Sequence, residues 1–418
     1  MNQRRFSVLT CLAAFGCIGW LLGALTGHRE PRPHPGLRPA TAHAAVSVIP
    51  PPTPTEDPRV TLGRGLFFDE SLSEPAGTSC ASCHDPARGY AGNHGSSHGT
   101  ALGSRPERQA RRSTPSVLYL RFVRRFHLVW DDDADLPEAS GGFFWDGRAD
   151  TIAALVRQPL VNADEMGNRD LHQVAQKIAR GEHAEGLRRN FDDAFASDEA
   201  TVSAVSLSIE AFLTSRAMSP FSSRYDDFVR GQAQLSSLEL RGLAVFEDID
   251  KGACSTCHRL DYRSGVPEAS LFSDFGYEVV GVPRNRRLLP DRGARRHDLG
   301  VCERSHPRLH TEDPWFCGAF RTPSLRNVAL RPSFMHNGVF SSLREVLDFY
   351  ATRSTDPARW YGETTFDDLP ARHRDNVNTD LPPYNQPRGE SPRLQPDDID
   401  AILAFLDTLT DQHIPPPP

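Results

Sequence analysis

The chain has 418 residues, which allows two compact domains once an N-terminal leader is set aside. Its 38% hydrophobic and 24% charged residues are ordinary for a soluble globular protein, and 34 prolines with 31 glycines favour a fold rich in loops. The formal charge is −7. Residues 1–45 hold five arginines and one acidic residue, so the remainder is more acidic still. An acidic surface argues against nucleic acid as a partner and suits a basic protein or a neutral small substrate.

The N-terminus has the features of an export segment. Arg4 and Arg5 precede an uncharged run from Phe6 to Leu25. This run is longer than the apolar region of about 7–15 residues in a cleaved signal, and it approaches the roughly 20 residues that span a bilayer. Residues 1–45 therefore predict either a cleaved signal peptide or an uncleaved inner-membrane anchor. In both cases the body of the protein is exported, as to a periplasm, and the Pro-rich residues 46–58 predict a linker.

Helical patterns follow the linker. Arg64–Phe68 and Arg241–Phe246 form a loose internal repeat, and each predicts a short helix ahead of a cysteine motif. Thr201–Ser215 and Ser342–Thr352 have the apolar spacing of helices. Two pairs have capping-box spacing, Ser236 with Glu239 and Ser342 with Glu345.

The last predicted helix, Asp397–Leu409, places apolar residues on one side: Ile399, Ile402, Leu403, Leu406 and Leu409. No run of period-two alternation is long enough to predict a substantial sheet. The fold class is therefore mainly α, with two domains and long loops. The predicted domains are residues 59–235 and 236–418, with the boundary near Arg230-Gly231-Gln232.

Two short motifs, Cys80-Ala-Ser-Cys83-His84 and Cys254-Ser-Thr-Cys257-His258, repeat one pattern. Cys-x-x-Cys-His is the attachment signature of c-type haem. Two thiols three residues apart form thioethers with the two haem vinyl groups, which places the following histidine under the iron as an axial ligand. The sequence therefore predicts two covalently bound haem c groups, one in each of two cytochrome c-like domains, with His84 and His258 as iron ligands.

Other uses of the cysteines are alternatives. A zinc site takes four such cysteines, but zinc gives no reason for a histidine directly after each pair. A redox-active dithiol normally lies in a thioredoxin-like βαβ setting, which this sequence lacks. Cys302 and Cys317 remain in the exported part, where an oxidising compartment predicts a disulfide between them and free thiols are the alternative.

Further runs resemble the bacterial di-haem cytochrome c peroxidase and MauG superfamily. With both haem motifs in order, the resemblance covers roughly residues 59–410. The runs that carry it are Phe143–Arg148 (FFWDGR), Pro159–Met166 (PLVNADEM), Phe320–Asn327 (FRTPSLRN) and Phe334–Gly338 (FMHNG).

The resemblance implies roles for single residues. In the family the N-terminal haem reacts with peroxide, so His84 would be its proximal ligand. Glu165 matches the distal carboxylate that moves a proton during cleavage of the O–O bond; by itself a glutamate is more often a solvated surface charge. Pro159 matches a proline lining the same pocket. Trp145 matches the tryptophan between the two haems, where by itself a tryptophan would be read as core.

The second haem would be held by His258 and a residue on the Ser342–Thr352 helix. Peroxidases of the family place methionine there, whereas the MauG branch places tyrosine. The matching position is Tyr350. A thioether ligand raises the haem potential, whereas a phenolate stabilises ferric iron and lowers it. Tyr350 therefore predicts a haem suited to holding oxidising equivalents, with a buried packing tyrosine as the alternative.

Some positions depart from the family. Its distal glutamine is replaced by Leu155. Its inter-haem calcium site takes an Asn side chain where this chain has Ser113, with carbonyl donors at Arg331 and Ser333. Losing an amide oxygen weakens the prediction of calcium. Two histidines, His94 and His98, lie in the loop that supplies a removable distal ligand in some peroxidases, and either is equally well a solvated loop residue.

Three functions follow from these predictions. The first is a peroxidase that reduces hydrogen peroxide to water with electrons from a small redox protein, a cytochrome c or a cupredoxin. The second is a MauG-like enzyme that uses peroxide to oxidise residues of a partner protein, which Tyr350 favours. The third is a non-enzymatic electron carrier or redox sensor, in which Glu165 would be idle. Family members are often homodimers, and the sequence leaves the oligomeric state open.

Overall fold

Short helices joined by long loops make up the protein, which confirms the predicted mainly α class. The computed structural model describes residues 57–129, 138–289, 297–304 and 315–418. The predicted export segment lies outside the described residues, as does nearly all of the predicted linker. The helices are α1 (Pro58–Phe68), α2 (Cys80–Cys83), α3 (Ile152–Val161), α4 (Leu171–Arg180), α5 (Ala184–Asn190), α6 (Asp198–Thr214), α7 (Arg224–Val229), α8 (Ser237–Glu247), α9 (Leu343–Thr352), α10 (Ala358–Tyr361) and α11 (Pro396–Asp407).

Strands are few and short. β1 (His127–Val129) pairs antiparallel with β2 (Glu138–Ser140), with His127 opposite Ser140. β3 (Tyr277–Glu278) pairs antiparallel with β4 (Phe320–Arg321), with Tyr277 opposite Arg321. These pairs agree with the lack of long period-two alternation in the sequence.

Capping side chains define where the predicted helices begin. The Ser236 hydroxyl accepts from the Glu239 N–H, and the Glu239 carboxylate accepts from the Ser236 N–H at 2.6 Å. Ser342 and Glu345 make the same reciprocal bonds at the start of α9. These bonds confirm both predicted capping boxes. Each box satisfies amide donors that a helix N-terminus leaves unpaired.

Close helix contacts depend on two glycines. A Cβ on Gly63 of α1 would overlap the Ser208 carbonyl oxygen of α6, and a Cβ on Gly242 of α8 would overlap the Ala401 carbonyl oxygen of α11. The internal repeat is therefore real, but its register differs from the prediction. Gly63 is the partner of Gly242. Alignment of the two segments from Arg64 and Arg241 pairs Gly242 with Gly65 instead, where an added Cβ would overlap the His183 ring.

Apolar side chains gather in two large clusters. Buried residues between Leu66 and Phe221 form one, and buried residues between Tyr225 and Leu409 form the other. Ile399, Ile402, Leu406 and Leu409 are buried in the second cluster as predicted, whereas Leu403 is partly buried. Helix α7 lies before the predicted boundary at 235/236 but packs in the second cluster. The boundary stays a prediction.

A buried ion pair holds α7 to the second half. Asp226 and Arg326 are both 0% exposed, and their charged atoms lie 2.9 Å apart. Arg326 also donates to the carbonyls of Ser270 and Pro267. Removing the carboxylate charge would leave a buried guanidinium unpaired, so we expect Asp226→Asn to lower the free energy of unfolding by about 3–5 kcal/mol.

Denaturant unfolding of the di-haem protein measures this loss. The control is Asp227→Asn on the same helix, because Asp227 is 35% exposed and its pair with Arg230 spans 3.5 Å. An exposed pair contributes about 0–1 kcal/mol. Equal losses in the two variants would contradict the expected role of the buried pair.

Two further features complete the fold. Cys302 and Cys317 form a disulfide, which confirms the predicted pairing. Within the described residues, no helix has the length and apolar character needed to cross a bilayer.

Candidate active site

The first Cys-x-x-Cys-His motif forms a compact turn. Cys80 and Cys83 lie at the two ends of α2, and the His84 N–H donates to the Cys80 carbonyl at 2.8 Å. The His84 Nδ1 lies 3.2 Å from the Tyr90 carbonyl oxygen. Because a carbonyl only accepts, Nδ1 carries the hydrogen, which leaves Nε2 with a lone pair for a metal.

The second motif repeats this geometry. The His258 N–H donates to the Cys254 carbonyl at 2.8 Å, and the His258 Nδ1 lies 2.9 Å from the Phe272 carbonyl oxygen. Burial lowers the pKa of both histidines, for His84 to about 4. Both rings are therefore neutral near pH 7, the form in which histidine binds iron.

The thiols fit covalent haem attachment. Cys80, Cys83, Cys254 and Cys257 form no disulfide, and burial raises the pKa of Cys80 and Cys254 to about 12. A raised pKa is unlike that of a reactive dithiol, whose thiolate is the nucleophile. The described part of the chain also brings together no cluster of three or more His, Cys, Asp or Glu able to hold a metal ion. The zinc and dithiol alternatives find no support here.

A cavity of about 450 Å³ lies against the first motif. Cys80, Cys83 and His84 line one part of it. Other lining residues are Phe143, Phe144, Trp145, Arg148, Leu155, Pro159, Asn162 and Glu165. The structure therefore brings four predicted site residues from distant parts of the sequence to one cavity: His84, Trp145, Pro159 and Glu165.

Glu165 is held over this cavity by a local turn. The Asn162 side-chain N–H donates to the Glu165 carboxylate at 2.7 Å, and the Glu165 N–H donates to the Asn162 carbonyl at 3.0 Å. Burial raises the pKa of Glu165, while the Arg148 charge and the Asn162 hydrogen bond act against that shift. A partly buried acid with a raised pKa suits proton transfer in a cavity.

Asn162 and Arg148 were present in the predicted motifs without an assigned role. The Arg148 guanidinium lies 3.5 Å from the centre of the Phe144 ring and 3.0 Å from Asp146. A signal existed for Asn162, since Asn three residues before an acid is a common side-chain hydrogen-bonding pattern in turns. The effect of Arg148 on Glu165 depends on the folded loop and had no such signal.

Helices α3 and α9 are equivalent parts of the internal repeat. Each follows a hydroxyl N-cap, Thr151 or Ser342. Pro159 and Tyr350 each stand eighth in their helix. A proline side chain has no donor atom for a metal, whereas a phenol has one, so the two helices differ in their potential to supply a metal ligand at this position. Leu155, also on α3, adds an apolar side chain to the cavity.

Tyr350 faces the second motif. Burial raises the pKa of Tyr350, and its electrostatic surroundings include Cys254 and Cys257 of that motif. The rings of Tyr350 and Tyr384 lie 5.9 Å apart. The buried Arg353 guanidinium stacks on Tyr384 at 3.8 Å. These contacts fit Tyr350 as a group facing the second haem.

Trp145 lies where the two halves meet. Its indole N–H donates to the Ser113 carbonyl at 2.8 Å, and its own carbonyl accepts from the Arg321 N–H at 2.8 Å. In the equivalent place of the repeat, the His336 carbonyl accepts from the Ser113 N–H at 2.7 Å. Each half therefore donates one backbone hydrogen bond to the other half at equivalent positions, and Trp145 accepts one of these two bonds.

Sequence reasoning missed a second repeat next to these bonds. Thr114-Pro115-Ser116 and Thr322-Pro323-Ser324 are the same tripeptide. The Pro115 carbonyl faces His84 and the Pro323 carbonyl faces His258. Because Ser113 and Arg321 each stand two residues before these prolines, Trp145 is linked through short backbone segments to both histidines.

The remaining predicted positions lie elsewhere. His94 Nδ1 faces the Leu102 carbonyl at 2.9 Å, His98 Nδ1 faces the Arg287 carbonyl at 2.7 Å, and neither histidine lines the cavity. At the suggested calcium position, the Ser113 hydroxyl donates to the Met335 carbonyl at 2.7 Å. Nothing in these contacts strengthens the weak prediction of calcium.

Known proteins share this arrangement. Residues 57–234 match the family model of di-haem cytochrome c peroxidase. The chain is 33% identical over 380 residues to the methylamine utilization protein MauG of Paracoccus denitrificans, covering 87% of this chain and 91% of that protein. It is 28% identical over 306 residues to the cytochrome-c peroxidase IdrP2 of Denitromonas iodatirespirans, covering 70% of this chain and 72% of that one.

The solved structure of the di-haem peroxidase BthA from Burkholderia thailandensis is also similar. It superposes with a TM-score of 0.81 at 44% identity and covers 87% of this chain and 88% of that one. The family-model match and the identity to MauG, spread over nearly the whole chain, show that this protein belongs to the di-haem cytochrome c peroxidase and MauG family of oxidoreductases.

Proposed function

We propose that this enzyme reduces hydrogen peroxide to water at the first site, with electrons that enter one at a time through the second site from a small redox protein. The observation that carries the proposal is the pairing of Glu165 with Pro159 at one cavity. Glu165 supplies a partly buried proton carrier, and Pro159 has no donor atom for a metal at the helix position where α9 has Tyr350. Membership of this oxidoreductase family sets the electron-carrier alternative aside.

When bound, the two haems supply iron for cleaving the O–O bond at one site and for storing single electrons at the other. The protein supplies proton movement. In its ionised form the Glu165 carboxylate takes a proton from the peroxide oxygen near it, and then returns that proton to the departing oxygen. The balanced reaction takes one peroxide, two electrons and two protons to two waters.

Neighbouring groups determine the orientation and the protonation of the Glu165 carboxylate. The Asn162 hydrogen bond fixes the carboxylate, and the Arg148 charge opposes the effect of burial on its pKa. Leu155, Phe143 and Phe144 form an apolar part of the wall, and apolar surroundings strengthen these electrostatic effects. Charged side chains, among them Arg112 and Asp146, also belong to the lining of the cavity.

Electrons would pass from the second site to the first by way of Trp145. Its indole is 8% exposed and hydrogen-bonded at Nε1, and its backbone joins segments that face His84 and His258. We expect Trp145→Phe to slow electron transfer between the haems about tenfold or more, equivalent to about 1.4 kcal/mol of barrier, because it removes the indole and its hydrogen bond.

Stopped-flow reoxidation of the second haem after peroxide addition measures that rate. Trp360→Phe is the matched control, because Trp360 Nε1 donates to the Thr352 hydroxyl at 3.0 Å on α9 but lies outside the exchange of bonds between the halves. An unchanged rate in Trp145→Phe would remove Trp145 from the pathway.

A MauG-like reaction, in which peroxide drives oxidation of residues in a partner protein, is the second candidate. Tyr350 favours it, since the phenol faces the second motif in place of a methionine. The identity of 33% to a MauG protein also supports it. In this case Trp145 would carry oxidising equivalents from the first site to the second, and the substrate would be a protein.

A single-turnover experiment separates the two candidates. Hydrogen peroxide is added to the purified di-haem protein without donor, and the haem spectra are followed in time. Rapid return to the starting spectrum on adding a reduced cytochrome c or cupredoxin supports the peroxidase. An oxidised spectrum that persists for minutes and reacts only sluggishly with either donor supports the MauG-like reaction.

The compartment follows from the attachment chemistry. Both haems and the Cys302–Cys317 disulfide suit an oxidising space outside the cytoplasm, so the donor would be periplasmic. Whether residues 1–45 are cleaved or remain as an anchor stays a prediction.

A further inference from the structure

Arg331 has no carboxylate partner among the described residues. Its Nη2 donates to the Thr114 carbonyl over 3.4 Å, and its Nε is buried without a hydrogen-bond partner. Burial lowers its pKa to about 10, and no carboxylate among the described residues acts against that shift. The hydroxyl of Ser333, two residues further on, is also buried without a partner.

Three other interior arginines have more complete sets of partners. Arg326 pairs with Asp226 at 2.9 Å, and Arg112 pairs with Asp298 at 2.7 Å. Arg353 donates to two carbonyls, stacks on Tyr384 and has its charge stabilised by the Glu278 carboxylate. Arg331 has one long hydrogen bond to the described residues, and a desolvated charge without a partner is costly.

The guanidinium lies beside the first site. Thr114, which accepts its hydrogen bond, lines the cavity. The adjacent Pro115 carbonyl faces His84, and the Arg331 charge itself acts on His84. The unpaired donors therefore lie close to the ring that would bind the first iron.

We propose that Arg331 binds a propionate carboxylate of the haem attached at Cys80 and Cys83. The inference rests on the proposed function only in requiring haem at that site. Haem c carries two propionates, and a carboxylate is the partner that completes a guanidinium by charge-assisted hydrogen bonds. Arg331 is thus a positioning residue that acts on the iron through the haem.

The positive charge of Arg331 should affect the reduction potential of the first haem. A guanidinium near the haem offsets the propionate charge and disfavours the extra positive charge of ferric iron, so it raises the reduction potential of the first haem. The same charge would repel a divalent cation bound by the neighbouring carbonyls, which is consistent with the weak prediction of calcium there.

The test replaces Arg331 with Met, Gln and Lys in the full-length di-haem protein. Haem content is measured for each, and both reduction potentials are measured by spectroelectrochemical titration. The neutral variants should shift the reduction equilibrium of the first haem toward the ferric form at least tenfold, which is about 59 mV for one electron. Arg331→Lys should restore most of the wild-type value, and the second haem should change less than twofold.

Arg189→Met, on exposed α5, is the control and should leave both potentials unchanged. A first-haem potential in Arg331→Gln within twofold of the wild-type equilibrium would overturn the proposal. So would a potential in Arg331→Lys as low as in the neutral variants, because charge would then not be the cause. A wild-type protein that holds two haems, shows the Arg331 shift and lacks peroxide turnover would refute the proposed function alone.

Discussion

Glu165→Gln is expected to react with hydrogen peroxide at least about tenfold more slowly than the wild-type enzyme, and the loss could reach the 10²–10⁴-fold typical of general acid–base groups. Glutamine keeps the shape and can still bond to Asn162, but it cannot take the peroxide proton. The measurement is the second-order rate constant of the peroxide reaction by stopped-flow absorbance. Both haem spectra should be unchanged, since Glu165 is not predicted to bind either iron.

The control for this variant is Glu199→Gln. Glu199 is 64% exposed on α6 and pairs with Arg157 at the surface, so it undergoes the same chemical change away from the cavity. Its rate should equal that of the wild type. A wild-type rate in Glu165→Gln would remove Glu165 from the mechanism.

The pH dependence of the peroxide reaction is a second test of the role of Glu165. Burial raises the pKa of Glu165 above that of a free glutamate, so the carboxyl group becomes protonated at a higher pH than an exposed one. Because the base form is needed to take the peroxide proton, the rate should fall as the pH falls through this raised pKa. Glu165→Gln should lack that acidic limb, and retention of the limb would assign it to another group.

Tyr350→Met should raise the reduction potential of the second haem substantially. Axial ligands set haem potentials over a range of about 0.8 V, and replacing a phenolate by a thioether removes a negative ligand that stabilises ferric iron. Spectroelectrochemical titration would measure the shift, and the first haem should change little. The variant should also hold oxidising equivalents for a shorter time, which would weaken any MauG-like reaction.

Tyr262→Met provides the matched control. Tyr262 packs at the edge of the second cluster, and its hydroxyl faces Glu247 at 3.3 Å. Tyr262→Met should leave the reduction potentials of both haems unchanged. An unchanged second-haem potential in Tyr350→Met would show that Tyr350 is a packing tyrosine and not a ligand.

Local features of the fold were predictable because their chemistry is contained in a few adjacent residues. The capping boxes at Ser236 and Ser342 need only a hydroxyl and an acid three residues apart. The turn at Cys80–His84 needs only the attachment spacing. The predicted site residues Glu165, Pro159 and Trp145 came from motif resemblance, and the structure brings all three to one cavity.

Relations between distant segments could not be predicted in the same way. The repeat aligned Gly65 with Gly242, yet backbone approach to α6 selects Gly63, and only the packed helices reveal that requirement. The unpaired state of Arg331 depends on which carboxylates fold near it, and the exchange of bonds around Trp145 joins residues more than 170 positions apart in the sequence. Such information lies in tertiary packing rather than in periodicity.

The most direct test of the account is steady-state turnover of hydrogen peroxide with a reduced donor. The purified di-haem enzyme is mixed with peroxide and excess reduced cytochrome c, in parallel with a reduced cupredoxin, and donor oxidation is followed against peroxide consumed. The account predicts rapid, repeated turnover with at least one donor and two donor molecules oxidised per peroxide. A persistent oxidised haem spectrum with little oxidation of either donor would contradict it and direct the search to a protein substrate.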